Sequence, residues 1–289
     1  MKVLIVKGAL GFGDRLESLK MCVHYASYTN RAIYVDWTDR IWSHSGESFY
    51  KYFDLVGVNS LKSVDSIPED ATVFPPAWKG RLNEQTVNVI DGSNLDTQIH
   101  DYKLYDEDVV VHSCLGYRKL YPNSQFFAEC FRVIDQRIIT KVKTRQSKYN
   151  LQSKIGIHLR GTDRASSIEY KSKRISELSI RFVMNGWLSS KKMIAVSDDP
   201  DYIKFWNGRF PEHRVLTEKG NLGGRVGAHN ESIIPISKDE LNVDLLVDFF
   251  TLASCEKIVS TSPDSRFTHE ATRLHPHVDL ILSQNGRSI

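Results

Sequence analysis

The residues of this chain whose types and spacing speak most directly of chemistry form one run, His158-Leu159-Arg160-Gly161-Thr162-Asp163-Arg164, directly after the apolar Ile155-Gly156-Ile157. An apolar strand that ends abruptly in such groups places them at its C-terminal end, the functional edge of a parallel sheet. Arg160 can fork two hydrogen bonds onto a diphosphate, and its charge cannot be titrated away. Beside a departing phosphate such a cation takes the place of a metal, stabilising charge that grows on the leaving group. The same residues can instead close an internal Arg160 to Asp163 ion pair.

Four other stretches carry candidate groups. The loop Gly8 to Gly13 lies between a strand and a helix, where backbone amides can approach a ligand, which makes Gly11 and Gly13 candidate contacts. It matches neither GxGxxG nor a P-loop. Asp14 stands at a helix N-cap position and disfavours phosphate there, so the guest would be a neutral sugar, or the loop a plain tight turn. Val196-Ser197-Asp198-Asp199-Pro200 ends a second strand in carboxylates that can accept from sugar or ribose hydroxyls, or simply cap a helix. Asp244 and Asp248 fall inside the apolar stripe of Leu241, Leu245, Phe249 and Leu252. A buried carboxylate needs a partner, and for Asp248 either a purine edge or a buried arginine would serve. In Ser260 to Arg266, hydroxyls and free amides at a helix start make an anion seat around Asp264 and Ser265, or a cap.

These groups need elements to hold them. Strand Val3–Val6, a helix to Thr29-Asn30 and strand Ala32–Asp36 make a right-handed βαβ unit. Residues 38 to 105 read as irregular, Val109–Val111 as a buried strand and Phe126 to Ile139 as helical. The polar, basic stretch Lys141 to Lys154 reads as a linker. Beyond it strands are expected at Ile155–Leu159, Met193–Val196, around Val215, at Lys257–Ser260 and at Val278–Leu282. Helices are expected at Ser176–Asn185, Pro200–Phe210, Lys238–Ser254 and Asp264–Leu274, with a loop at 220 to 230. This is an α/β chain of two Rossmann-like domains, 1–145 and 150–289, with parallel sheets facing a central cleft. A net charge of +3 with interspersed signs supplies no basic stripe for nucleic acid. Four dispersed cysteines, Cys22, Cys114, Cys130 and Cys255, form no metal-binding or disulfide pattern. With no signal peptide or membrane span in view, a cytoplasmic location is expected.

Taken together, these motifs are similar to those of the fucosyltransferase superfamily, which includes the nodulation fucosyltransferase, the core α1,6-fucosyltransferase and the protein O-fucosyltransferases. The likeness covers residues 3 to 36 and 154 to 274. His158 to Arg164 resembles the HxRxTDK motif, with Arg164 for the final lysine. Ile194 to Pro200 resembles a second motif, and Val247 through Ser265 a third. The resemblance implies a GT-B fold and inverting, metal-independent transfer, without a cofactor, from a nucleotide-sugar to a glycan hydroxyl, with GDP-fucose as the favoured donor. It implies that Arg160 holds the β-phosphate, that His158 and Asp248 read guanine, and that Asp264 and Ser265 flank the phosphates. Asp163 would orient Arg160 or touch the donor, and Asp198 or Asp199 would accept from ribose or sugar hydroxyls. At the position of the family's catalytic carboxylate stands Ile168, so the base falls to neighbouring Glu169 or to Asp14. The alternatives are a UDP-sugar such as UDP-xylose as donor, or a sugar- or nucleotide-binding module without turnover. A Rossmann-type NAD enzyme is disfavoured by the missing GxGxxG.

Overall fold

In a computed structural model of the chain the described residues are 1–8, 10–38, 47–89, 103–113, 124–161, 167–188, 192–218 and 237–283. They divide into two units, Met1–Asp135 with Asp279–Ile289, and Gln136–Val278. The predicted strands and helices at the start of the first unit form as read. β1 (Val3–Lys7) leads into α1 (Phe12–Thr29), Asn30 closes that helix in the left-handed region, and β2 (Ala32–Asp36) returns beside β1. The cap of α1 is Gly11 rather than Asp14, which sits in the first turn. Residues 47–89 hold only short pieces: α2 (Phe49–Tyr52), β3 (Phe53–Leu55), β4 (Val73–Phe74), a 3-10 turn at Pro76–Trp78 and α3 (Thr86–Val89). β5 (Val109–Ser113) completes a parallel sheet of order β2-β1-β5-β4, with Val3 facing both Ala32 and Val109.

The helix expected over Phe126 to Ile139 is broken. α4 (Ser124–Cys130) stops where β6 (Phe131–Val133) pairs antiparallel with β3. Phe131 and Val133 turn inward at alternate positions, and the Phe131 ring lies 4.9 Å from both Phe53 and Phe127. Aromatic packing overrides the local helical spacing here.

The second unit opens with another correction. The basic stretch read as a linker is α5 (Gln136–Tyr149), which buries Ile138, Ile139, Val142 and Arg145 on one face and keeps its lysines outward. β7 (Ile155–Leu159), α6 (Ile168–Met184), β8 (Met193–Ser197), α7 (Pro200–Arg209), α8 (Lys238–Ala253), β9 (Lys257–Ser260) and α9 (Arg266–Leu274) follow. The three strands form a parallel sheet of order β8-β7-β9. Ile157, Leu159, Phe182 and Trp206, all buried, are central to its core. Val215 makes only a single bridge to Ala195. The last expected strand is instead α10 (Val278–Ile281), since Val278, Ile281 and Leu282 are buried at helical rather than alternating spacing. The 220–230 loop and Cys114 lie outside the described residues. Where β7 meets α8, a Cβ on Gly156 would lie 3.0 Å from the Cys255 sulfur and from Leu252 Cδ2, so a side chain there would have to push these neighbours back by a few tenths of an ångström. Cys22, Cys130 and Cys255 are buried free thiols, and burial pushes the thiol of Cys255 up to about 12.

One buried cation ties the first sheet to its surroundings. Lys7, 2% exposed, donates to Asp36 Oδ2 at 2.5 Å and to the carbonyls of Leu82 and Glu84 at 2.6 and 2.9 Å. Removing one member of such a group strands the others without water. Lys7→Met is therefore expected to cost roughly 3 kcal/mol in chemical denaturation, and a cost below about 1 kcal/mol would contradict this account of the sheet edge.

Candidate functional site

β7 and β8 run parallel and in register, so Leu159 lies opposite Ser197 and the next residues, Arg160 and Asp198, emerge side by side. Arg160 Nη1 donates to Asp198 Oδ2 at 2.6 Å, and the Gly161 amide donates to Asp198 Oδ1 at 3.0 Å. The Arg160 amide donates to Thr261 Oγ1 at 2.8 Å, which ties the same point to the end of β9. The Arg160 side chain remains 31% exposed, so its guanidinium is oriented by the protein yet open to solvent. Asp163, expected as its orienting partner, lies outside the described residues, and Asp198 fills that role. Behind it, Gly161 is obligatory: a Cβ there would lie 2.1 Å from Cβ of Asp199.

His158 points from β7 towards α9. Its Nδ1 lies 2.9 Å from Thr268 Oγ1 and 3.4 Å from Ser265 Oγ, and its ring centroid is 5.0 Å from that of Phe267. Burial, aided by Arg160 and opposed by Asp198, holds its pKa down at about 4, so the imidazole is neutral at physiological pH. Ser265 is the N-cap of α9, accepting from the Thr268 amide, while Asp264 is exposed just before it. The β9 end, the α9 cap and the β7 end thus converge on one edge, where the Arg160 guanidinium meets solvent.

Two of the expected donor contacts hold the fold together. Asp199 is fully buried, caps α7 by accepting from the Asp201 and Tyr202 amides at 2.9 and 3.1 Å, and pairs with buried Lys171 at 2.6 Å. Both of its oxygens are engaged within the fold, the helix cap being one of the two readings that sequence offered. Asp248 is buried beside Arg145 of α5, its Oδ1 accepting at 2.8 Å and its Oδ2 taking the Thr217 hydroxyl at 2.6 Å. The compensation that its burial demanded comes from inside the protein, so no purine edge is needed for it. Arg145 also donates to the Leu216 carbonyl at 2.6 Å. Burial raises the Asp248 carboxyl, and Arg145 opposes the rise.

Of the remaining candidates, Glu169 belongs to the second unit and the others to the first. Glu169 is exposed in the first turn of α6, whose N-cap is Ser167. Gly11, Gly13 and Asp14 belong to the first unit, at the start of α1. There Gly11 has ordinary extended backbone, and an added Cβ would meet nothing closer than 3.6 Å, so its glycine is not forced by space among the described residues. Sequence reasoning missed Arg15, fully buried, whose Nε donates to the Leu10 carbonyl at 2.5 Å and braces that loop from below. It also missed Thr261 and Arg174, whose Nε donates to the Thr261 carbonyl at 2.9 Å. No periodicity marks a partner as distant in sequence as Thr261 is from Arg174.

No family profile and no curated protein matches the sequence. Solved structures do. The fucosyltransferase NodZ from Bradyrhizobium matches with a TM-score of 0.62 at 18% identity, over 94% of this chain and 92% of that one. NodZ alpha-1,6-fucosyltransferase soaked with GDP-fucose matches at 0.63 and 19%, over 96% and 94%. POFUT1 in complex with GDP matches at 0.52 and 14%, over 96% and 95%. The chain has the fold of these fucosyltransferases, an α/β arrangement of two parallel Rossmann-like sheets of GT-B type.

Asp244, one turn before Asp248 on α8, is 6% exposed, and its Oδ1 has no hydrogen-bond partner among the described residues. Burial, with the neighbouring Asp248 charge, raises its pKa from the ordinary 3.8 to about 6. Because the folded state holds this proton more tightly than the unfolded chain, the stability it contributes is full below pH 3.8 and is lost as pH rises through about 6. Asp244→Asn is expected to remove that loss, gaining up to about 3 kcal/mol over wild type at pH 7 and little at pH 4 in paired denaturation curves. Equal gains at both values would refute the titration.

Proposed function

We propose that this chain is an inverting, metal-independent glycosyltransferase that moves a sugar, first L-fucose from GDP-fucose, to a hydroxyl of a glycan acceptor. The observation that carries the reading is Arg160, a half-open guanidinium fixed by Asp198 at the C-terminal edge of β7. It stands in a fold shared with fucosyltransferases solved with GDP or GDP-fucose.

In this reading the acceptor oxygen attacks the anomeric carbon in line with the departing diphosphate. The bond from that carbon to the β-phosphate oxygen breaks, and its electron pair stays on the diphosphate. Arg160 lies beside that growing charge and, being held by Asp198, does not have to reorganise during the step. The α9 N-terminus, with the Ser265 cap, adds partial positive charge for the phosphates. Asp264 is exposed there, and we assign it no direct phosphate contact. Neutral His158, anchored through Nδ1, presents its other ring nitrogen to the base. Asp248 retains spare lone pairs beyond those given to Arg145 and Thr217, and we assign it a secondary part in the same recognition. The acceptor proton goes to a carboxylate, Glu169 of α6 or Asp14 of α1.

Arg160→Ala is expected to lower kcat by about a hundredfold or more in a transfer assay with GDP-fucose, with the melting temperature of the free protein little changed. Thermal shift with GDP, UDP and their sugars tests the donor: stabilisation by GDP and GDP-fucose is expected. A response to UDP alone, or full transfer by the alanine variant, would sink the reading.

A further inference from the structure

The edge of the second sheet opposite Arg160 has a character of its own. β7, β8 and β9 start there, immediately after or on Lys154, Lys192 and Lys257. The strands are paired from their first residues, Ile155 with Met193 and with Lys257, and the Ile155 amide bonds the Lys192 carbonyl at 2.8 Å. The three lysines therefore form a row along one edge. α6 runs against the strands and ends at the same place. Trp187, just beyond its last turn, packs on the sheet core, and Lys257 Nζ lies 5.0 Å from the Trp187 ring.

On that last turn the apolar pattern reverses. Ile175, Leu178 and Phe182 are buried, as an amphipathic helix requires, yet Ile180, Val183 and Met184 are 62%, 63% and 80% exposed. Their i, i+3, i+4 spacing makes them one contiguous apolar tip. Single exposed apolar residues are ordinary on a protein surface, but a cluster rimmed by cations is not. Arg181 is exposed within the tip, and Lys192 and Lys257 are exposed at the strand starts. Among the described residues the exposed acids around this edge include Glu256 before β9, Glu212 in the turn after α7, and Glu177 one turn before the tip, which pairs with Arg174 at 2.8 Å.

We infer that this edge is a docking face for the surface of an anionic lipid bilayer, with Ile180, Val183 and Met184 entering the headgroup boundary and the lysine row meeting lipid phosphates. Charge complementarity selects this occupant. A second copy of the chain would bring the same lysine row against itself, whereas an anionic surface gains from every lysine within a Debye length. The depth is that of an interfacial contact, consistent with no helix among the described residues being long and apolar enough to cross a membrane. The face lies at the opposite end of the strands from Arg160, so docking leaves that edge open to donor.

The test is co-sedimentation of the whole chain with phosphatidylcholine vesicles and with vesicles that also contain phosphatidylglycerol. Binding is expected only with the anionic lipid, weakened about tenfold or more by raised salt. Met184→Glu with Val183→Glu, and separately Lys192→Glu with Lys257→Glu, are each expected to abolish it. Melting curves and stabilisation by GDP should stay as in wild type, so loss of docking is separable from loss of fold or of donor binding. Absence of binding, equal binding to neutral vesicles, or binding that survives both pairs of substitutions would overturn the inference. So would sedimentation-velocity evidence of a dimer that Met184→Glu dissolves.

Discussion

A positive charge at the mouth of a sheet is useful only if it stays put, and the second unit is organised around keeping Arg160 in place. The carboxylate that does so, Asp198, comes from the neighbouring strand, so the pair exists only because β7 and β8 lie in register to their last residues. Asp198 also takes the Gly161 amide, and Thr261 takes the Arg160 amide from the other side. Three strand ends are thereby locked to one another by side chains at the point where their backbone ladders stop. An anchored but partly exposed guanidinium escapes the full desolvation cost of a buried ion pair and still presents donors to an incoming anion.

Directly behind this pair the fold is strict. Asp199 has no solvent exposure, caps α7 and compensates buried Lys171, while Gly161 passes so close that no side chain fits. Adjacent aspartates in one turn thus have opposite duties, one facing the edge and one holding the helix that follows. Arg145 and Asp248 make a comparable bond between α5 and α8. In both places a charge that looks costly by itself is matched within hydrogen-bonding distance by an element distant in sequence.

Much of this was legible from the chain itself. The strands of the second unit, the polar residues at their ends and the reversal from apolar to charged at Arg160 all follow from local pattern, because a parallel strand buried on both faces is a continuous apolar run. What escaped was long-range. α5 reads as a linker because most of its surface is basic and its buried stripe holds an arginine whose partner lies 103 residues away. That arginine is also the buried partner that sequence left open for Asp248, and spacing alone cannot place it there. Asp198 and Asp199 cannot be told apart by spacing, since the choice between edge and cap depends on which side of the turn each faces. In the first unit the break at Phe131 depends on aromatic partners at Phe53 and Phe49, which no window around Phe131 contains.

The close approach of β7 to α8 has a kinetic corollary. Cys255 is wholly buried where the bare backbone of Gly156 passes it, and burial keeps its thiol protonated far above neutral pH. Since the thiolate is the reacting species, a sulfhydryl reagent can reach this residue only while the strand and helix are apart. Its modification rate is therefore a built-in clock for breathing of the seam that carries His158 and Arg160. That clock reads motions too brief and too rare to register in a static structure.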